Sequence, residues 1–489
     1  MEINTLINSL LYYSKKHLSL NPDDEMYVKN QLLHIFKVDN PLDTYIDEKE
    51  IDNYETPDVF SISMKEYFIS LGYDEVASDK LITQVYGLLT PFPSVINKTF
   101  FDEYNINPIK ATDHFYDLCI KNDYVKKSLI EKNIVMNEKM GDNDLVITIN
   151  LSKPEKNNKD VRKEKEAKAT NFPKCMICYE NEGCFGSAKT PPRNNLRVIN
   201  LKLNNQDWFM QYSPYGYYKE HLIVILKKHV PLTICKDYLG ALYDFVDMFP
   251  HYFLGSNAAL PIVGGSILSH EHFQGGRFSF PIMKAKTLEE IDISSNDVKA
   301  FTIDYPAFCL KLVSNNKKAS LDETYRITEI WKKYSREDLG FVAFDNEEHN
   351  TSTIIVRKVN DIYETFIIFR NNCVDEKHPE GIFHVRNEYL PIKKEGIGLI
   401  EAMGLFVLPA RLKRQLKALD DVVNEKITYA QALEENPDID IFKPLLNDVL
   451  NHKYESVHDL LVKACEAILS DIAPLKNKED REDFFKLLK

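Results

Sequence analysis

Gly264-Gly265-Ser266-Ile267-Leu268-Ser269-His270-Glu271-His272-Phe273-Gln274-Gly275-Gly276 is the stretch from which the rest of the chain is read. In an extended backbone alternate side chains share a face, so His270, His272 and Gln274 are expected on one wall, with Glu271 and Phe273 on the other. Neutral imidazole attacks phosphorus well and leaves again readily, which suits a reaction that stores a nucleotidyl group and then gives it away. Gln274 can donate to a non-bridging phosphoryl oxygen but cannot act as a general acid, so its expected role is to position and stabilise. Gly264 and Gly265, with Ser266, are expected to let backbone amides approach phosphate. A bare His-x-His reads equally as a metal-ligand pair or as two ordinary histidines; the longer string, with Gln274 and both glycine pairs, is far more specific.

Outward from this motif the chain changes character. Met26–Phe36 and Leu81–Leu89 carry apolar residues at three- and four-residue intervals, so residues 1–152 are expected to be an α-helical N-terminal region. Between 153 and 170 apolar residues almost vanish and charges alternate, the pattern of a solvated linker or an exposed helix end. From Arg197 onward, aromatic and β-branched runs with Asn-Asn and Ser-Pro turn signals read as strands. A helical pattern at Leu239–Phe253 leads into the glycine-flanked motif, and Thr353–Lys358 and Thr365–Arg370 read as further strands. The expected organisation is α+β: a catalytic part over 171–285, a second α+β part over 286–412 and a helical tail over 413–489.

Composition limits what such a chain can do. With 489 residues, 44% of them hydrophobic, it can form several cores. The formal net charge of −13 argues against a general affinity for nucleic acid, so phosphate must be met locally. No apolar run is long enough to span a bilayer, and the N-terminus lacks the basic, apolar and small-residue order of a secretory signal; a cytoplasmic protein without membrane contact is expected. Of the eight cysteines, Cys175 and Cys178 have metal-like or redox-like spacing, and the others read as buried thiols. A thioredoxin-like role is disfavoured because no strand–CxxC–helix pattern surrounds the pair.

His270-x-His272-x-Gln274 resembles the active-site motif of galactose-1-phosphate uridylyltransferases of the histidine-triad superfamily, in the form typical of their second, bacterial class. Tyr86–Asn97, Ala111–Tyr124, Cys175–Gly183, Gln211–Val224, Phe249–Gly276 and Ile392–Leu412 are similar to that class as well, so the resemblance spans nearly the whole chain. It implies an α+β fold around an antiparallel sheet with two related halves, and a homodimer. The implied activity, in galactose catabolism, moves a uridylyl group from UDP-glucose to His272, releasing glucose 1-phosphate, and then to galactose 1-phosphate. No organic cofactor is implied. Cys175, Cys178, His229 and His270 are similar to a structural zinc site in the better-known class, although buried thiols and ordinary histidines remain the alternative.

The resemblance also suggests substrate contacts. Asn181 and Arg197 fall near segments that contact nucleotide or shape its pocket, Asn257 leads directly into the motif, and Lys393 and Lys394 match a segment that could neutralise a sugar phosphate. There are departures: Thr190-Pro191-Pro192-Arg193 stands where the class has His-Pro-Ala-Arg, and Phe383–Pro391 lacks an expected histidine. Two rival readings share the phosphate-binding wall. One is a nucleotide hydrolase or phosphorylase of the same superfamily, the other a sugar-nucleotide sensor without turnover. Gln274 in place of a third histidine favours transfer between phosphates.

Overall fold

Apolar residues recurring every three or four positions build the N-terminal helices of the computed structural model, which describes residues 1–152, 172–187, 190–265 and 267–489. Its strands, in chain order, are β1 (Ile134–Met140), β2 (Asn143–Asn150), β3 (Ile199–Leu203), β4 (Gln206–Tyr212), β5 (Leu222–Leu226), β6 (Phe253–Ser256) and β7 (His272–Gly276). They continue as β8 (Thr287–Ile291), β9 (Lys299–Ile303), β10 (Cys309–Ser314), β11 (Asn350–Val359), β12 (Ile362–Asn371) and β13 (Leu405–Pro409). The chain forms two units, one of residues 1–132, 152–216 and 220–229, the other of 133–151, 217–219 and 230–489.

In the first unit, helix Glu75–Leu89 shows how the sequence writes an element. The Asp74 carboxylate caps the first turn by accepting from the Ala77 amide, and Ile82, Val85, Tyr86 and Leu89 form its buried stripe. β3, β4 and β5 pair antiparallel in sequence order. Asn204 and Asn205 turn β3 into β4 with positive φ at both positions, which asparagine tolerates better than most residues. Side-chain amides and hydroxyls join helices to strands: Asn97 Nδ2 donates to the Val198 carbonyl at 2.9 Å, and the Tyr212 hydroxyl to the Thr112 carbonyl at 3.1 Å.

In the second unit the sheet order is β7-β6-β11-β12-β10-β9-β8, antiparallel throughout, and a separate sheet joins β1 and β2 antiparallel and β2 and β13 parallel. Strand alternation sorts β12 between two cores: Phe366 and Ile368 pack with Ile355 and Leu399, while Ile367 and Phe369 pack with Trp331 and Phe484. Trp331, fully buried on helix Lys317–Trp331, donates its indole N–H to the carbonyls of Thr351 and Arg370 at 3.0 and 3.1 Å, bracing the ends of β11 and β12.

The α+β class stands, and four local expectations change. Helix does not continue to residue 152: Ile134–Met140 and Asn143–Asn150 form a hairpin around Gly141, whose φ of +60° suits glycine, and period-two alternation outweighs helical spacing there. The helix expected over Leu239–Phe253 is Lys236–Met248; Pro250 ends it and Phe253 opens β6. The helices of the expected tail, beginning at Arg411, belong to the same unit as the strands before them rather than to a separate appendage. His270 precedes β7 rather than lying in it. The linker expected over 153–170 and Ser266 lie outside the described residues.

Candidate active site

His272 opens β7 with its ring almost wholly buried. Nδ1 lies 2.7 Å from the His270 carbonyl oxygen. A carbonyl only accepts, so Nδ1 carries the proton and Nε2 keeps its lone pair. Burial holds the imidazole far below the usual histidine range, down to about 4, against the raising effect of that carbonyl; the ring is therefore neutral at physiological pH. The first histidine of the motif thus acts on the second through its backbone, which side-chain alternation did not foresee.

Two neighbours fix the second histidine. The Tyr238 hydroxyl donates to the His272 carbonyl at 2.9 Å, and its ring stacks on Phe273 with centroids 4.2 Å apart. Asn257 follows β6, and its Nδ2 lies 3.4 Å from His272 Nε2. Its Oδ1 accepts from the Leu399 amide at 3.3 Å, so the amide nitrogen is turned toward the imidazole. Gln274 pairs in register with Gly255 of β6, two residues along the same strand from His272 and therefore on the same face.

The glycines before the motif serve packing. A Cβ on Gly264, whose φ is +80°, would sit 2.1 Å from the Ile397 carbonyl oxygen, and one on Gly265 would sit 2.4 Å from that of Ala258. The loop is held elsewhere too: the Ala259 amide donates to Thr351 Oγ1 at 3.2 Å and Asn372 Nδ2 to the Pro261 carbonyl at 3.4 Å. Ile262 and Ile267 both have positive φ, a region β-branched residues avoid, at a cost of roughly 1–3 kcal/mol each. These contacts hold a strained turn just before His272.

The remaining candidates fall into different settings. Lys393 is buried and its Nζ lies 2.9 Å from Glu401; burial works against its charge, but that carboxylate wins and raises its pKa. Lys394 is exposed. Arg197 is committed to protein: its guanidinium donates to the carbonyls of Gly87, Thr90, Pro91, Asn194 and Leu196, tying two loops of the first unit together. Asn181 Nδ2 donates to the carbonyls of Cys175 and Cys178 at 3.0 and 2.9 Å, bracing the CxxC turn.

Within the first unit, Cys175 and Cys178 have their sulfurs 3.4 Å apart, and His229 Nδ1 lies 3.1 Å from Cys178 Sγ. A tetrahedron with bonds of about 2.0–2.3 Å has edges of roughly 3.3–3.8 Å; the two sulfurs fall in that range and the His229 nitrogen lies slightly inside it, so these donors could hold a zinc ion after a small adjustment. Burial and the Cys175 sulfur push the Cys178 thiol up to about 12; a bound dication would reverse that.

Arg370 was not anticipated as a site residue. It is fully buried at the end of β12, and Nη1 donates to the Ile397 carbonyl at 2.9 Å, the same carbonyl against which Gly264 packs. A charged residue closing the apolar run Phe366–Phe369 was the available signal.

Comparison with known proteins accords with this geometry. A family profile described as "Galactose-1-phosphate uridyl transferase, N-terminal domain" matches residues 22–231. A galactose-1-phosphate uridylyltransferase of Clostridium acetobutylicum is 42% identical over 87% of this chain and 86% of its own. One from Fusobacterium nucleatum is 38% identical over 94% and 92%, and one from Lactiplantibacillus plantarum 45% identical over 72% and 74%. At that identity over most of both lengths, the chain belongs to the galactose-1-phosphate uridylyltransferase family.

Proposed function

We propose that this enzyme moves a uridylyl group from UDP-glucose to galactose 1-phosphate through a covalent adduct on His272. Nε2 attacks the α-phosphorus, a P–N bond forms, and the P–O bond to the β-phosphate breaks, so that glucose 1-phosphate departs with that oxygen. A phosphate oxygen of galactose 1-phosphate then attacks the same phosphorus, the P–N bond breaks, and the imidazole returns unchanged. No proton has to leave the ring, because Nδ1–H remains on the His270 carbonyl throughout and offsets the positive charge of the adduct. The observation that carries this reading is that hydrogen bond.

Asn257 and Gln274 are assigned to the non-bridging oxygens, which they can meet as donors while leaving proton transfer out of the step. The backbone at Gly264 and Gly265 shapes the phosphate wall, and the exposed Lys394 is assigned to attracting anionic substrate. Cys175, Cys178 and His229 are assigned to a zinc ion, with His270 as the fourth ligand, as the family resemblance implies; when bound, the ion supplies rigidity rather than chemistry.

The test uses UDP-glucose labelled in its uridylyl group, quenching in alkali that preserves phosphoramidates, and peptide mapping by mass spectrometry. One adduct is expected, on His272. Labelling retained in His272→Ala, or hydrolysis of UDP-glucose without exchange of glucose 1-phosphate, would remove the basis for the proposal.

A further inference from the structure

Strand registers place Arg370 on the catalytic face of the second unit's sheet. Arg370 pairs with Thr351, and two residues along, Thr353 pairs with Ile368 and Ile355 with Phe366. Ile355 in turn pairs with Gly255, and Gly255 with Gln274. Directly paired residues share a face, so the arginine side chain projects from the same side of the sheet as Gln274 and His272.

Charge on that face does not balance. Arg370 is 1% exposed, yet the partner of its Nη1 is a carbonyl, and its Nε has no hydrogen-bond acceptor among the described residues. Glu401 is the carboxylate that acts on it, and that group is already paired with the buried Lys393 at 2.9 Å. Burial drags the guanidinium down to about 10, which leaves it charged at neutral pH. Two buried cations therefore share the half-buried Glu401 carboxylate, with only the exposed Glu395 besides it, 3.8 Å from Lys393, and a buried charge without a full partner is unfavourable. Structure alone does not need this cation: a methionine of similar length would fill the space without that cost. Trp331 and the Ile397–Gly398 turn nonetheless hold the residue from both sides.

We propose that Arg370 supplies the buried positive charge against which the phosphate of the hexose 1-phosphate is held, acting through the low-dielectric interior on the leaving and entering sugar phosphate. It is a positioning residue, and this role rests on the uridylyltransferase reading above. Glucose 1-phosphate and galactose 1-phosphate share that phosphate, so one fixed charge serves both half-reactions, stabilising the departing group in the first and aligning the incoming one in the second.

The experiment compares the full-length wild type with Arg370→Met and Arg370→Lys. It measures the KM for hexose 1-phosphate, the affinity for uridine, which has no phosphate, and the 31P titration of bound glucose 1-phosphate. Arg370→Met is expected to raise the KM for hexose 1-phosphate by about 10- to 100-fold, to leave uridine binding unchanged and to shift the bound phosphate's titration to higher pH. Arg370→Lys should restore most of both. Equal losses for uridine and hexose 1-phosphate, or a lysine variant as impaired as the methionine one, would show a packing role and overturn the proposal. If Arg370→Met does not fold, Arg370→Lys decides alone: a selective change in the hexose 1-phosphate KM supports the charge, and an equal change for both ligands refutes it. Wild-type protein that exchanges no glucose 1-phosphate would instead sink the transferase reading, and this proposal with it.

Discussion

At the scale of single residues, the tautomer of His272 turns on one backbone oxygen. Because Nδ1–H is occupied by the His270 carbonyl, substitutions at 270 are expected to reach His272 through main-chain placement. Asn257→Ala removes the amide facing Nε2 and the acceptor for the Leu399 amide; kcat is expected to fall by about 10- to 100-fold in a steady-state assay, with thermal stability lowered by only about 1 kcal/mol. Gly264→Ala should be far more damaging to the fold. The new Cβ meets the Ile397 carbonyl oxygen in a backbone conformation that alanine avoids, so denaturant unfolding should show a loss of roughly 2–4 kcal/mol. A variant as stable as wild type would mean that the Gly264 and Ile397 loops do not pack as described.

At the scale of elements, helix Lys236–Met248 is tied to its neighbours through Asp247. Burial would raise this carboxyl's pKa, but hydrogen bonds from Lys317 at 2.7 Å, from the Tyr363 hydroxyl and from Lys358 at 3.1 Å prevail and hold it below the usual value. A carboxyl depressed in the folded state stabilises it above the unfolded pKa of about 4 and loses that contribution as pH falls through the folded value. Asp247→Asn should therefore lower the unfolding midpoint at about pH 7, and the gap to wild type should narrow as pH falls below about 4. A gap that stayed constant across that range would show the contacts to be steric. On the opposite side of the sheet from Trp331, Phe366→Ala would open a cavity between β11 and β12, with an expected cost of about 3–5 kcal/mol in equilibrium unfolding.

At the scale of the whole molecule, the CxxC turn and His229 form a cluster that could hold a metal, and the zinc proposal predicts that stability depends on it. Cys178→Ser should lower zinc content, measured by plasma emission spectrometry, and a strong chelator should lower Tm for wild type while leaving the serine variant unmoved. Equal chelator responses in the two proteins would exclude these thiols as ligands. Much of this architecture was legible before any coordinates. Amphipathic spacing gave helices such as Glu25–Phe36, β-branched runs gave β11 and β12, and the motif with its flanking glycines singled out the stretch in which the buried His272 opens β7. Those features are local, since periodicity, turn chemistry and residue type act within a few positions of one another. Only the folded chain decided that Gly264 exists to let Ile397 approach, that Arg197 is a clamp for backbone carbonyls, that Lys393 is claimed by Glu401, and that Arg370 shares a face with His272. Each of these depends on partners remote in sequence, brought together by strand register and packing, and no short-range pattern encodes which partner a buried charge or a missing side chain will meet.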